Sequence, residues 1–259
     1  MEKSNKKTRT AFREPTKTKL IDAWYRKRLT QISKYVAQIV NEYKGEENPL
    51  VMSQWIQQRL FSYSFELEQW AYAVSKTMLD RVSKADYDTW LKVGEKIGLE
   101  TRKKLKTVEP IYKQLQEEQV KLITSLPITS AKKVHEWVTD GLSKGQRYSE
   151  IIDRIQANLA RENRNHAVLI ARTETARCRS NFTQARARNV GSTHYIWRTV
   201  GDGTVRDLHR KNNGQIFAWN DPPKAGVGRG NQPVLAHAGC IYNCRCWAEP
   251  IFPEDEGMK

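Results

Sequence analysis

The chain has 259 residues, of which 28% are charged and 39% are apolar, and its 44 basic and 29 acidic residues give a net charge of +15. This size allows one or two domains with a modest core, and no apolar run is long enough to cross a membrane. The first residues lack the apolar stretch of a signal peptide, so we expect a protein made in the cytoplasm with reduced thiols. The positive charge favours a polyanionic partner, either nucleic acid or an anionic membrane surface.

The first half of the chain shows helical periodicity. Residues 1–15 are rich in lysine and arginine and are predicted to form a basic flexible arm. From Thr16 an apolar residue recurs every three or four positions as far as Tyr43, which predicts a helix closed by Gly45 and Pro49. Further helices are predicted at residues 55–82, 87–97 and 111–126. We therefore expect residues 16–126 to form a helical bundle or arm.

Pro127 is predicted to begin a second helical part, residues 127–192, with helices at 130–139, 148–159 and 167–189. The last of these helices is rich in arginine, and five of its arginines are predicted to line one basic surface: Arg172, Arg177, Arg179, Arg186 and Arg188. Guanidinium groups suit the geometry of phosphates and carboxylates, so one interpretation is a surface for DNA or for an acidic partner. The other interpretation is a solvated face with local ion pairs.

Residues 193–259 change to short β-type runs separated by Gly, Asn, Asp and Pro, with strands predicted at 195–200 and 215–219. The glycine-rich run 225–230 lacks the Gly-Lys-Ser/Thr ending of a phosphate-binding loop, and we interpret it as a mobile connection. The predicted fold class is therefore mainly α with a small α+β C-terminal domain.

Three of the four cysteines and two of the five histidines lie in this last part. The candidate zinc ligands are His209, His237, Cys240, Cys244 and Cys246, because structural zinc sites use thiolate and imidazole at short spacings. Cys240 and Cys244 have a favourable spacing, whereas Cys244 and Cys246 would lie roughly 6 to 7 Å apart on a strand. The alternative is a group of buried thiols with a histidine bonded to the backbone.

A catalytic interpretation rests on His209, Asp202 and Asn212, since a histidine beside a carboxylate can activate water and an asparagine can hold a metal. In the alternative without catalysis, Asp202 and Arg206 form a buried ion pair and His209 links the loops by hydrogen bonds. We favour that alternative, because the chain lacks the final histidine that a His-Asn-His nuclease would place at helical spacing.

Several short motifs occur in a fixed order, from Ile170-Ala171-Arg172-Thr173-Glu174-Thr175 to Asn243-Cys244-Arg245-Cys246. Between them lie the other residues of the pattern, and the pattern's structural positions are Trp197, Asp202, Arg206, Gly214, Pro222, Pro223 and Arg245. From about residue 122 to residue 250, this order resembles the Mu F-like minor head proteins of tailed bacteriophages, also called head morphogenesis proteins. Related proteins carry a Cys-x-x-Cys pair where this chain has Arg206 and His209.

The resemblance implies a virion protein present in few copies in the capsid interior near the portal vertex. It implies a role in head morphogenesis or DNA ejection, without an established enzymatic activity. The implied partners are the portal protein, double-stranded DNA and other head proteins. Independently of the resemblance, we expect Trp24 and Tyr25 near the start of the first helix to contact the portal, because aromatic residues often anchor interfaces. The alternative is a zinc-dependent nucleic-acid-binding protein or nuclease of a mobile element.

Overall fold

The computed structural model of the protein describes residues 16–93 and 104–252, and the basic arm predicted at residues 1–15 lies outside them. The described chain consists of long helices followed by short antiparallel strands, which confirms the predicted fold class. None of the helices in these two ranges is long and apolar enough to cross a membrane.

The first helix, α1 (Thr16–Glu42), forms where the apolar periodicity predicts it and ends before Gly45. Its apolar stripe is at most 1% exposed and consists of Tyr25, Leu29, Ile32, Val36 and Ile39. The next helix, α2 (Pro49–Glu66), begins with a proline at its first position. Asn48 caps this helix by accepting hydrogen bonds from two backbone N–H groups, as an N-cap asparagine does.

The predicted helices at residues 55–82 and 87–97 divide differently in the structure. The chain turns at Leu67, and α3 (Glu68–Val93) then runs through the whole interval between the two predicted helices. No glycine or proline lies between residues 82 and 87, so nothing in the local sequence ends the helix there. The end of the second predicted helix, beyond residue 93, lies outside the described residues.

A single helix, α4 (Glu109–Ser143), contains Pro127 in its interior, although the sequence predicted a new segment at this residue. An interior proline removes one helical hydrogen bond and costs about 3 kcal/mol. The helix continues because apolar side chains on both sides of the proline are fully buried, among them Ile123, Leu126, Ala131 and Val134. The predicted border between residues 126 and 127 therefore lies inside a helix.

The helices predicted at residues 148–159 and 167–189 are one helix, α5 (Tyr148–Asn189). The two predicted helices leave out residues 160–166, but the structure keeps this interval helical, and its Asn163 is only 5% exposed. Its side chain accepts a hydrogen bond from Ser33 Oγ at 2.8 Å and donates to Ser130 Oγ at 2.7 Å and to the Leu126 carbonyl at 3.2 Å. Tertiary hydrogen bonds therefore hold a polar residue inside the helix. Gly191, which has positive φ, follows the end of the helix, and the Ser192 N–H returns to the Ala187 carbonyl at 2.9 Å.

The described residues form two compact units that alternate along the chain. The unit that we call the helical unit comprises residues 23–77 and 116–171. The unit that we call the mixed unit comprises residues 16–22, 78–93, 104–115 and 172–252. The long helices α1, α3, α4 and α5 each contribute residues to both units. Consecutive stretches of sequence are therefore not the units of packing.

The mixed unit holds all the described strands. The elements after α5 are β1 (His194–Arg198), α6 (Asp207–Asn212), β2 (Ile216–Ala218), β3 (Lys224–Val227), β4 (Pro233–Leu235) and β5 (Trp247–Pro250). The strands form two antiparallel sheets, of order β2-β1-β5 and β3-β4. The prediction of a mobile connection at residues 225–230 is wrong for its first half, because residues 225–227 lie in β3, which pairs with β4. A Cβ on Gly226 would lie 2.6 Å from Ile241 Cδ1, so glycine at this position lets the Ile241 side chain pack close to the strand.

Candidate functional site

Four segments of the mixed unit meet around the imidazole of His209. The histidine lies on the short helix α6 and is only 2% exposed. The edge of its ring packs on Trp197 of β1, with 5.3 Å between ring centroids. Its Nε2 lies 2.8 Å from the carbonyl oxygen of Ala225 in β3. Because a carbonyl only accepts hydrogen bonds, Nε2 carries the proton and donates it. This bond orients Nδ1 toward the fourth segment, which contains two cysteines.

Cys244 and Cys246 both approach His209 Nδ1. Their Sγ atoms lie 3.6 and 3.4 Å from that nitrogen, and both side chains are buried. The two cysteines precede β5, in irregular backbone, where their side chains can converge. The nitrogen and the two sulfurs all lie within 4.8 Å of one another. The strand spacing considered for these cysteines does not apply, because residues 244–246 are not a strand.

The contacts in this cluster shift the pKa values of its members. Burial lowers the pKa of His209, but its contact with Cys244 and its bond to the Ala225 carbonyl outweigh burial and raise it. Hydrogen bonding from the Cys246 thiol, together with His209, lowers the pKa of Cys244 despite the burial of this thiol. The same bond to Cys244, followed by burial, raises the pKa of Cys246. The cluster therefore favours one thiolate, on Cys244, beside a basic imidazole.

The turn before the cysteines is fixed by Asn243, which has φ +55. Asparagine tolerates this left-handed conformation better than most residues. Its backbone N–H donates to Thr173 Oγ1 at 2.9 Å, and its side-chain oxygen accepts from Arg172 at 3.1 Å. Helix α5 thereby holds the cysteine turn in place. Sequence reasoning included Asn243 in the motif without assigning it this role, and Thr173 gave no signal beyond its place in the motif.

A cavity of about 550 Å³ borders the cluster, and Arg172, Arg206 and Arg245 line it together with His209 and both cysteines. Arg245 forms an ion pair with Asp202 at 2.7 Å. Arg206 donates to the Tyr242 carbonyl at 3.1 Å and lies over the Tyr242 ring. With three arginines and one pairing carboxylate, the cavity carries positive charge. It is suited to an anionic ligand.

The five candidate zinc ligands fall into two groups in the structure. His209, Cys244 and Cys246 come together. Within the described residues, they form the group of three possible metal ligands whose ligand atoms lie close to one another. His237 lies elsewhere, with Nδ1 3.1 Å from the Tyr195 hydroxyl and Nε2 3.3 Å from the Gln184 amide. Burial raises the pKa of Cys240, which hydrogen-bonds with Ser180. The pairing of Cys240 with Cys244, suggested by their spacing, is not the arrangement in the structure.

The residues of the catalytic alternative are occupied by other contacts. Asp202 is exposed and binds Arg245, so the expected buried pair of Asp202 with Arg206 is wrong. Asn212 donates to the Lys224 carbonyl at 3.1 Å. His209 is bonded to the Ala225 carbonyl of β3, a contact of the kind that the alternative without catalysis expects.

The five arginines of α5 do not form one surface. At 3.6 residues per turn, Arg179 and Arg186 share a face with Arg172, whereas Arg177 and Arg188 lie on the opposite face. Arg179 is 7% exposed and Arg186 is 2% exposed. Because their face packs into the mixed unit, these two arginines are not surface residues, which corrects the prediction for them.

The most buried of these arginines has a complete set of protein partners. Arg186 pairs with the fully buried Asp86 at 2.6 Å. It also donates to the Leu105 carbonyl and to Ser83 Oγ, each at 2.9 Å. Arg177 pairs with Glu174 at 2.7 Å and is 23% exposed, while Arg188 is exposed and donates to the Trp219 carbonyl at 2.7 Å.

The remaining motif residues shape the loops around the cluster. Trp197 is fully buried and supports His209. Gly214 has φ +83, and its N–H returns to the Trp197 carbonyl at 2.8 Å. Pro222 and Pro223 lie in the connection before β3, where the Pro223 carbonyl accepts from Ala236 N–H at 3.0 Å. These contacts connect the loops of the mixed unit with its strands.

Comparison with known proteins places this cluster inside a family region. Residues 132–249 match the family described as "Phage Mu protein F like protein". An uncharacterized protein of Haemophilus influenzae is 28% identical over 137 residues, which are 53% of this chain and 28% of that protein. The chain therefore matches 28% of the length of this relative. No solved structure matches the chain. The similarity to the Phage Mu protein F like family therefore covers residues 132–249, the part of the chain that holds the His209 cluster.

Proposed function

We propose that the chain is a minor head protein of a tailed bacteriophage, positioned in few copies near the portal vertex, where it contacts the portal protein and DNA. The observation that carries this proposal is the family match over residues 132–249, which contains the whole His209 cluster and the cavity beside it. The net charge of +15 supports contact with DNA.

For the portal contact, we propose the exposed aromatic side chains of the helical unit. Phe65 is 78% exposed, Tyr72 is 56% exposed and Phe61 is 41% exposed. Exposed aromatics of this size often mark protein interfaces. Tyr25 cannot have the anchoring role expected for it, because it is fully buried and donates to Gln119 Oε1 at 3.0 Å.

Co-expression with the portal protein of the same phage tests this contact. The change Phe61→Ser with Phe65→Ser should abolish co-purification, since it removes two exposed phenyl rings without opening the core. The matched control is Leu142→Ser with Leu169→Ser, which removes two exposed apolar side chains elsewhere in the helical unit. Equal loss in both double variants would contradict the assignment of this surface.

For the DNA contact, we propose Arg177 and Arg188, which share a face of α5 and keep access to solvent. Removal of one arginine–phosphate interaction should flatten the slope of log K against log salt by about 0.9. The double change Arg177→Gln with Arg188→Gln should therefore lower the slope. The matched control is Lys27→Gln with Lys34→Gln, which removes the same charge from exposed positions of α1. An unchanged slope in the arginine variant would contradict this placement.

The whole proposal is tested by mass spectrometry of purified heads and of portal-containing assembly intermediates. We expect the protein there at far fewer copies than the coat protein. Its absence from both, together with DNA cleavage that is lost in His209→Ala, would favour the nuclease alternative instead.

A further inference from the structure

We propose that His209, Cys244 and Cys246 bind one zinc ion through Nδ1 and the two Sγ atoms, and that the fourth position of the ion opens into the arginine-lined cavity. This inference concerns the cluster itself and does not depend on the proposed role in phage heads.

The first support is the spacing of the three atoms. With zinc–sulfur and zinc–nitrogen bonds of about 2.3 and 2.0 to 2.1 Å, a tetrahedral site places nitrogen and sulfur roughly 3.6 Å apart. The two sulfurs lie 3.6 and 3.4 Å from His209 Nδ1. The three candidate ligand atoms thus already have the nitrogen–sulfur separations that a zinc ion requires.

The second support is the orientation of the histidine. A metal-binding histidine almost always donates its other ring N–H to a carbonyl or carboxylate, which fixes the tautomer. The Ala225 carbonyl has this role for Nε2, so the lone pair of Nδ1 points toward the sulfurs. The backbone N–H of Cys246 also points to Cys244 Sγ at 3.4 Å, which favours the thiolate form that metals bind.

A nucleophilic cysteine–histidine pair would explain one sulfur near Nδ1 but not two at nearly equal distances. Two sulfurs converging on one imidazole nitrogen fit a shared ion better, because zinc would replace the protons that these atoms otherwise share. This second sulfur is the reason that we infer a metal site.

The cluster supplies three ligands, and the cavity lies next to all three of them. Zinc sites with three protein ligands keep a fourth position for water or an added ligand. A zinc ion with two thiolates and a neutral imidazole has no net charge, whereas Arg172, Arg206 and Arg245 make the cavity positive. An anion is therefore the ligand class that suits the open position.

Cobalt(II) is the direct probe, because thiolate ligands give it an intense charge-transfer band. The full-length protein, reduced and treated with chelator, is titrated with Co²⁺ and the bound ion is then displaced by Zn²⁺. We expect one Co²⁺ per chain with a thiolate band that Zn²⁺ abolishes. Azide added to the cobalt protein should change the spectrum, since it enters the open position. If the wild-type protein saturated with Co²⁺ shows no thiolate band, the metal site is refuted. If azide does not change the spectrum, the open fourth position is refuted.

Variants then identify the ligands. Cys244→Ser and Cys246→Ser should each weaken Zn²⁺ binding more than about a hundredfold, beyond the 10- to 100-fold effect of losing an outer hydrogen-bond partner. The matched controls are Cys178→Ala and Cys240→Ala, which remove the other two cysteines of the chain. Circular dichroism checks that each variant is folded. Binding that survives the loss of Cys244 or Cys246, or that requires Cys178 or Cys240, would overturn the ligand set.

Discussion

The change Arg186→Leu tests the structural role of an arginine that its sequence context favours for DNA. Arg186 and Asp86 are 2% and 0% exposed, and their charged atoms lie 2.6 Å apart. Removing the arginine leaves the carboxylate with Thr183 as its remaining hydrogen-bond donor, and the Leu105 carbonyl and Ser83 lose the Arg186 donor. Breaking a buried pair in this way costs about 3 to 5 kcal/mol. That is a large share of the roughly 5 to 15 kcal/mol that stabilises a typical domain.

Urea unfolding followed by circular dichroism measures the loss. Arg164→Leu is the matched control, because Arg164 is exposed on the same helix and its loss should cost at most about 0.5 kcal/mol. The double variant Asp86→Leu with Arg186→Leu should recover most of the loss, since replacing a whole buried pair by apolar side chains is often neutral. A cost below about 1 kcal/mol for Arg186→Leu would refute the argument, as would a double variant whose cost equals the sum of the two single changes.

Three further predictions concern the two units separately. Asn163→Leu should cost about 1 to 3 kcal/mol of stability in urea, because Ser33, Ser130 and the Leu126 carbonyl lose a buried partner. The exposed Asn165→Leu should be nearly neutral, and equal losses would contradict the buried network. Gly239→Ala should destabilise more than Gly214→Ala in thermal unfolding: both have positive φ, but only at Gly239 would a Cβ meet backbone, 3.0 Å from the Cys246 carbonyl. His237 has a lowered pKa through burial and nearby Arg188, so its protonation favours the unfolded state and stability should fall as the pH drops below 6.5. His237→Gln should remove this part of the pH dependence, and an identical profile in the variant would count against it.

The sequence identified the segment that holds the His209 cluster, but it did not identify which of the candidate residues come together. His209, Cys244 and Cys246 were among the five candidates, yet spacing favoured Cys240 with Cys244. Which thiols converge depends on the backbone between residues 243 and 246, where Asn243 adopts positive φ and the strand begins only at Trp247. Spacing rules assume a regular element, and here both cysteines lie outside one.

What the sequence determined by itself is the fold class, the first helix and the family region. Periodicity placed α1 because its stripe from Tyr25 to Ile39 is continuous, and Gly45 and Pro49 are local breakers that act without tertiary contacts. Motif order identified the family region because it needs no contact information.

Tertiary structure alone decided where polar residues are buried and where helices continue. Pro127 and Asn163 both resemble helix ends in sequence, but burial on either side of Pro127 and hydrogen bonds to Asn163 keep α4 and α5 unbroken. Arg186 has the same local sequence character as the exposed Arg188, and only the presence of Asp86, 100 residues earlier in the chain, makes it part of the core. The physical reason is that the cost of burying a polar group is cancelled by a partner from elsewhere in the chain, which local sequence does not specify.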